Sequence, residues 1–307
     1  MGPSGSPRVE RSGAAQCGTS RRKALSSCPM TDRRTQREVV SFVRRSTRMN
    51  PGQERAWAAR DRFLVEVPRR ETSTSIAVGT MIDWAEVFGR VAPMVVEIGS
   101  GTGDSLAAMA AAAPERNHVA FEVFRPALAS TMIKLGAVGA TNVRLVDANG
   151  VEGLRELFAP GSISEVWTFF PDPWHKARHH KRRLIDEEFG ALVASRLTDD
   201  GVWRIATDWA DYAEHCREVL DDHPDLVNLY ADGFAPRLAT RPVTKYERRG
   251  LNAGRKVFDL AYRRQSAPLC TPSPASHTSV SGATSPTGRE VPPDPPSRSQ
   301  SSPIEPA

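Results

Sequence analysis

The stretch Val95-Val96-Glu97-Ile98-Gly99-Ser100-Gly101-Thr102-Gly103 decides the fold. A short apolar run reads as a buried strand, and it breaks into Gly-x-Gly-x-Gly before an alanine-rich helix over 105–113. Glycines at such a turn let the backbone bend sharply and approach a ligand closely. In open parallel sheets, ligands lie at the carboxyl ends of the strands, beside the switch in strand order. This unit therefore marks a fold class and a binding edge together.

Outward from the turn, strands and helices alternate. Apolar runs over 118–123, 142–146, 166–170 and 202–206 read as strands. Between them, helices are predicted over 126–135, opened by Pro126, and over 152–158, 183–196 and 211–220, with a turn at 199–201. This spacing predicts an α/β fold with a doubly wound, mostly parallel, Rossmann-like sheet. Two later runs, 226–230 and 257–262, are expected to pair antiparallel at one edge. Residues 1–35 are rich in Gly, Ser and Arg, and residues 266–307 in Pro and Ser without an aromatic ring. Neither segment can bury enough apolar surface to offset the entropy of ordering, so both are expected to be disordered tails around one folded domain over 36–265. The Arg-rich leader fits a loose tail, a transit peptide, or an early start with Met30 as the true one.

The 307 residues are 39% hydrophobic and carry a net charge of +5. Such a balance permits a nucleic-acid partner without requiring one. Cys17, Cys28, Cys216 and Cys270 lack metal-ligand spacing, which fits a reduced, cytoplasmic protein. No apolar stretch is long enough to span a bilayer, so no membrane partner is expected.

Gly99, Gly101 and Gly103 would shape the cofactor turn. A dinucleotide fingerprint needs glycine where Asp104 stands. A carboxylate at that helix start competes with pyrophosphate for the helix terminus. Glu97, two residues before the first glycine, likewise disfavours an anion and favours a cation. S-adenosyl-L-methionine fits, because it has no phosphate and carries a sulfonium and an ammonium. Glu122, ending the second strand, is placed to accept from ribose hydroxyls. Asn149, past the third strand, is placed for the adenine edge or the ribose.

The fourth strand ends in Phe169-Phe170-Pro171-Asp172-Pro173-Trp174-His175-Lys176 and runs into Arg178-His179-His180-Lys181-Arg182-Arg183. Flanking prolines restrict the loop and hold the Asp172 carboxylate. Trp174 is suited to wall a pocket or stack on a base. The basic run beside it suits phosphate. His175, His179 and His180 lack a ligand set with Cys or carboxylate, so no metal is expected. Further on, Thr207-Asp208-Trp209 ends the fifth strand, with Asp208 placed to accept from a guanine edge. Thr244-Lys245-Tyr246-Glu247 mixes hydroxyl, cation, ring and carboxylate; its plainer reading is a surface helix with Arg–Glu pairs. Ser41-Phe42-Val43-Arg44-Arg45 interleaves cations with apolar groups, as an RNA-gripping arm would.

Taken together, these segments resemble the bacterial tRNA (guanine-N7)-methyltransferase family over residues 37–263. The Pro-Asp-Pro-Trp-His-Lys element with its basic follow-on is the specific signature; the glycine turn is shared by many methyltransferases. The resemblance implies S-adenosyl-L-methionine contacts at Glu97, Glu122, Asn149 and Asp172, with Asp172 at the active site. It implies tRNA contacts at Lys176, Asp208, Thr244, Lys245, Tyr246 and Glu247, in a monomer or homodimer that requires no protein partner. Many members carry aspartate where Asn149 stands. Two alternatives remain at this level. One is a methyltransferase of the same fold acting on an amine in DNA, protein or a small molecule. The other is a non-catalytic RNA-binding module.

Overall fold

The computed structural model describes residues 47–230 and 233–265. The expected tails at 1–35 and 266–307, and the Ser41-Phe42-Val43-Arg44-Arg45 segment, lie outside these residues.

The strand entering the glycine turn, β1 (Met94–Ile98), is buried along its whole length. Its side chains alternate between two cores, as the two-residue period of a strand requires. Val95 joins a core with Leu106, Leu128 and Leu135, while Val96 and Ile98 join one with Leu154, Phe189 and Leu220. The first core lies under α3 (Asp104–Ala112) and α4 (Arg125–Ala137). The second lies under α5 (Gly150–Leu157), α6 (Glu187–Arg196) and α7 (Ala210–Asp221). A sheet buried on both faces is the setting that parallel strands need.

Seven strands run in the order β3-β2-β1-β4-β5-β7-β6. Here β2 is Asn117–Phe121, β3 Val143–Val146, β4 Ile163–Phe169, β5 Leu197–Thr207, β6 Leu226–Asn228 and β7 Phe258–Arg264. The first five in this order pair in parallel, and β7 runs antiparallel to both β5 and β6. The order reverses between β1 and β4, so the ligand edge lies where their carboxyl ends diverge. Helix α1 (Pro51–Ala58) packs on α4 from outside, and α2 (Trp84–Phe88) leads into β1. The Gln53 side chain of α1 donates to the Pro126 carbonyl at 2.9 Å.

Two expected boundaries move. Helix α6 begins at Glu187 rather than at residue 183, because Asp186 caps it by accepting from the Phe189 N–H at 2.8 Å. The expected turn at 199–201 is a bulge inside β5: Leu197 already pairs with Ile163, and Val202 with Glu165. The extra residues loop out at Asp200, which takes φ 63°.

Helix α5 approaches β2 closely because residue 153 has no side chain. A Cβ there would sit 2.1 Å from the Phe121 ring. Helix propensity alone would make Gly153→Ala stabilising by about 1 kcal/mol. Overpacking against a buried ring dominates instead, so we expect a loss of about 1–3 kcal/mol in denaturant unfolding.

Candidate active site

The turn after β1 is fastened to β2. Gly99 N–H and Ser100 N–H both donate to the Phe121 carbonyl, at 2.9 and 3.1 Å. Gly101 N–H donates to Glu122 at 2.9 Å, and Glu122 also accepts from the N–H groups of Val123 and Phe124 at 2.8 and 2.9 Å. One carboxylate thus sets both loops. Burial raises the Glu122 carboxyl above the usual range, and these three donors offset part of that.

Gly99 and Gly101 have φ of 76° and 55°, and a Cβ on either would meet nothing within 4 Å. Both face open space. Gly103 differs: a Cβ there would lie 2.4 Å from Thr131 in α4. It serves close packing of α3 on α4. Asp104 is ion-paired with Lys134 at 2.9 Å and accepts from the loop hydroxyl of Thr102 at 2.8 Å. The acids left without a cationic partner at this turn, among the described residues, are Glu97 and Glu122.

Glu97 is 3% exposed, and its Oε2 has no hydrogen-bond partner. Burial, and then the nearby Glu122, push its carboxyl up to about 8. An isolated buried carboxylate is costly, and its pKa rises until it is neutral or finds a cation. This orphaned oxygen beside an open glycine turn fits a cationic ligand such as S-adenosyl-L-methionine. At the ends of β2 and β3, a cavity of about 560 Å³ is lined by residues that include Met49, Trp57, Thr74, Val123, Phe124 and Asp147. That is within the range of small-molecule sites. Asn149 sits close by as the N-cap of α5, where its side-chain oxygen accepts from Val151 N–H at 2.9 Å. The cap thus occupies the oxygen of this amide.

Beyond β4, Phe170 and Trp174 take φ of 54° and 48°. Aromatic residues in this left-handed region cost about 1–3 kcal/mol each and persist only where surroundings fix them. Between them Asp172 is exposed at the strand end. It lies near enough to Tyr246 to raise that phenol, after burial and the Asp208 carboxylate. The Tyr246 ring packs on Phe170 with centroids 5.4 Å apart, and its hydroxyl stands 3.5 Å from Asp208. Asp208 is buried and ion-paired with Arg255 at 2.7 Å.

Helix α8 (Lys245–Asn252) carries the late motif. Lys245 and Tyr246 are exposed. Thr244 caps the helix by accepting from Glu247 N–H at 3.1 Å, and Glu247 is fully buried against Arg237 and Arg241 at 3.1 and 3.3 Å. Arg–Glu pairing is therefore present, but inside the protein. A helical turn over Ala177–Arg182 exposes Lys176, Arg178, Lys181 and Arg182 along the rim, with Arg182 stacked 5.0 Å over Trp174. Among the described residues, no group of His, Cys, Asp and Glu is set to hold a metal. None of their helices is long and apolar enough to cross a membrane. Arg183 departs from the expected basic rim: it is buried, donating to the Pro173 carbonyl and ion-paired with Asp211. Arg241 and Arg255 were not marked by sequence, because nothing local in the chain announces their partners.

The comparisons with known proteins agree with this arrangement. The Methyltransf_4 methyltransferase family model matches residues 91–260. The tRNA (guanine-N(7)-)-methyltransferase of Cutibacterium acnes is 53% identical over 234 residues, covering 75% of this chain and 85% of its own. That of Nocardioides sp. is 48% identical, covering 77% of this chain and 91% of its own. A strand order that opens beside an acid-lined glycine turn, the Pro-Asp-Pro-Trp strand end and these identities lead to one assignment: the chain belongs to the tRNA (guanine-N7)-methyltransferase family.

Proposed function

We infer that this protein transfers a methyl group from S-adenosyl-L-methionine to N7 of a guanine in the variable loop of tRNA, forming 7-methylguanosine. One observation carries the reading. The ends of β4 and β5 bring Asp172, Asp208 and the exposed ring of Tyr246 together beside a basic rim, in a chain that is 53% identical over 234 residues to an enzyme named for this reaction. A tRNA substrate fits a cytoplasmic protein, and we infer that it acts as a monomer or homodimer.

Bound S-adenosyl-L-methionine supplies a methyl group on a positively charged sulfur. The Glu97 carboxylate suits the ammonium end of that molecule, Glu122 the ribose hydroxyls, and the free amide NH₂ of Asn149 the nucleoside edge. Gly99 and Gly101 leave the room for its close approach. Guanine N7 already holds a free lone pair, so no proton has to leave before attack. As the new N–C bond forms and the C–S bond breaks, positive charge moves from sulfur to the guanine ring. The chain's task is alignment and electrostatic support, and alignment alone is worth several kcal/mol, of order 7–11 in well-oriented reactions. Asp172 orients the guanine and faces the charge that develops on it, rather than removing a proton. Tyr246 offers a stacking face, and Lys176 with Arg178, Lys181 and Arg182 receives phosphate. A guanine held in tertiary contacts must swing out before N7 reaches the methyl. A non-catalytic RNA-binding module would have no use for an unpartnered acid such as Glu97 beside the glycine turn.

Incubation with labelled cofactor and bulk tRNA, followed by nucleoside mass spectrometry, should yield 7-methylguanosine; absence of that nucleoside would overturn the reading. Asp172→Asn should keep at least about tenfold more transfer than Asp172→Ala, because an amide still orients a base edge. Equal loss in both, with tRNA and cofactor still bound, would require charge or proton transfer instead.

Glu97 makes cofactor affinity depend on pH. Below about 8 its carboxyl holds a proton in the unliganded protein, so binding a cation must expel that proton. Affinity should weaken as pH falls below about 8, by up to about tenfold per unit for one linked proton. Glu97→Gln should bind more weakly at high pH and with a flatter profile. Titration calorimetry across pH tests this, and identical slopes in the two proteins would exclude Glu97 as the linked group.

A further inference from the structure

The segment that carries Asp172 is an arch with two strained feet. Phe170 at one foot and Trp174 at the other have positive φ, and Pro171, Asp172 and Pro173 span the gap. Neither foot is glycine, so something outside the arch must hold the backbone there. Each foot rests on a buried guanidinium.

At the first foot, Arg241 is 1% exposed and lies across the rings of Phe169 and Phe170, 5.3 and 5.2 Å from their centroids. It donates to both oxygens of Asp259 in β7, at 2.9 and 3.0 Å, and to Glu247 in α8 at 3.3 Å. One side chain therefore ties together the end of β4, the edge strand and the helix that presents Tyr246. Its Nε has no partner among the described residues. An apolar side chain of similar volume would avoid that cost, so stability alone is a weak reason for an arginine here.

At the second foot, Arg183 is 6% exposed and donates through Nε to the Pro173 carbonyl at 3.1 Å. It also stacks over Tyr212 at 5.1 Å and is ion-paired with Asp211 at the start of α7. The arch is thus fixed to α7 on one side and to α8 and β7 on the other.

We propose that Arg241 and Arg183 are positioning residues for methyl transfer, holding the Phe170–Trp174 arch so that Asp172 meets the guanine in register. This rests on the assignment of Asp172 to the reacting centre. A planar guanidinium can stack on rings while bridging two acceptors; a lysine ammonium keeps the charge but cannot do both. Arg241→Lys and Arg183→Lys should therefore preserve the ion pairs in part and release the arch.

The test compares these two proteins with Asp172→Ala and with Arg116→Lys. Arg116 is ion-paired with Glu165 at 2.7 Å, at the opposite end of the strands, and serves as the control for a generic ion-pair loss. Both lysine variants at the arch should lose at least about tenfold in kcat. Their KM for cofactor and tRNA should stay within about threefold, with one cofactor bound per chain by calorimetry. Arg116→Lys should lower Tm yet keep native kcat. Native kcat in either arch variant removes that foot from the proposal, and a kcat loss matched by Arg116→Lys overturns it as a general effect of stability. Should Arg241→Lys fall short of full cofactor stoichiometry, Arg183→Lys, whose acidic partner is half-exposed, decides the question. Native kcat in Asp172→Ala would instead sink the role of Asp172, and is read separately.

Discussion

A carboxylate buried without a counter-charge sets the terms for the ligand edge of this protein. Glu97 sits in a strand whose neighbours are apolar on both faces, with one oxygen unpartnered and Glu122 close enough to add repulsion. In the folded chain alone, the acid can relieve this only by holding a proton. A cationic ligand relieves it differently, by letting the charge form where a positive group can meet it. An acid held in this way offers phosphate no counter-charge, which separates the site from nucleotide-binding turns of similar glycine pattern. Glu122 escapes part of the same penalty because three backbone N–H groups point at it. The two acids thus divide the work: one shapes the turn, the other awaits a charge.

What was legible in the sequence follows from the range of the interactions involved. The β1 turn could be read because strand period, glycine and helix start are all local. The two late apolar runs were expected to pair antiparallel at one edge, and they do, through β7. Gly103 looked like its neighbours, yet its purpose lies in Thr131, 28 positions away in the chain and adjacent only after α3 packs on α4. Asp104, which the sequence places as a guard against phosphate, has its charge met by Lys134, 30 positions away. Glu247 was read as a substrate contact or a surface ion pair, and it is instead a buried anchor. Arg241 was invisible for the same reason in stronger form: its partners come from β4, β7 and α8, and no spacing in the chain announces their meeting.

Two sets of charges occupy this end of the sheet, and salt tells them apart. Arg241, Glu247 and Asp259 are removed from solvent, so mobile ions screen them little. Lys176, Arg178, Lys181 and Arg182 are exposed, and any phosphate they hold is exchanged against counterions from solution. Rising ionic strength should therefore detach the RNA long before it disturbs the arch or the α8 anchor. The geometry of transfer and the grip on the substrate are thus built from different electrostatics. In the proposed reaction the buried set would fix where the reacting atoms meet. The exposed set would govern how often a tRNA is present when they do, and it can be tuned by surface substitution without touching the buried one.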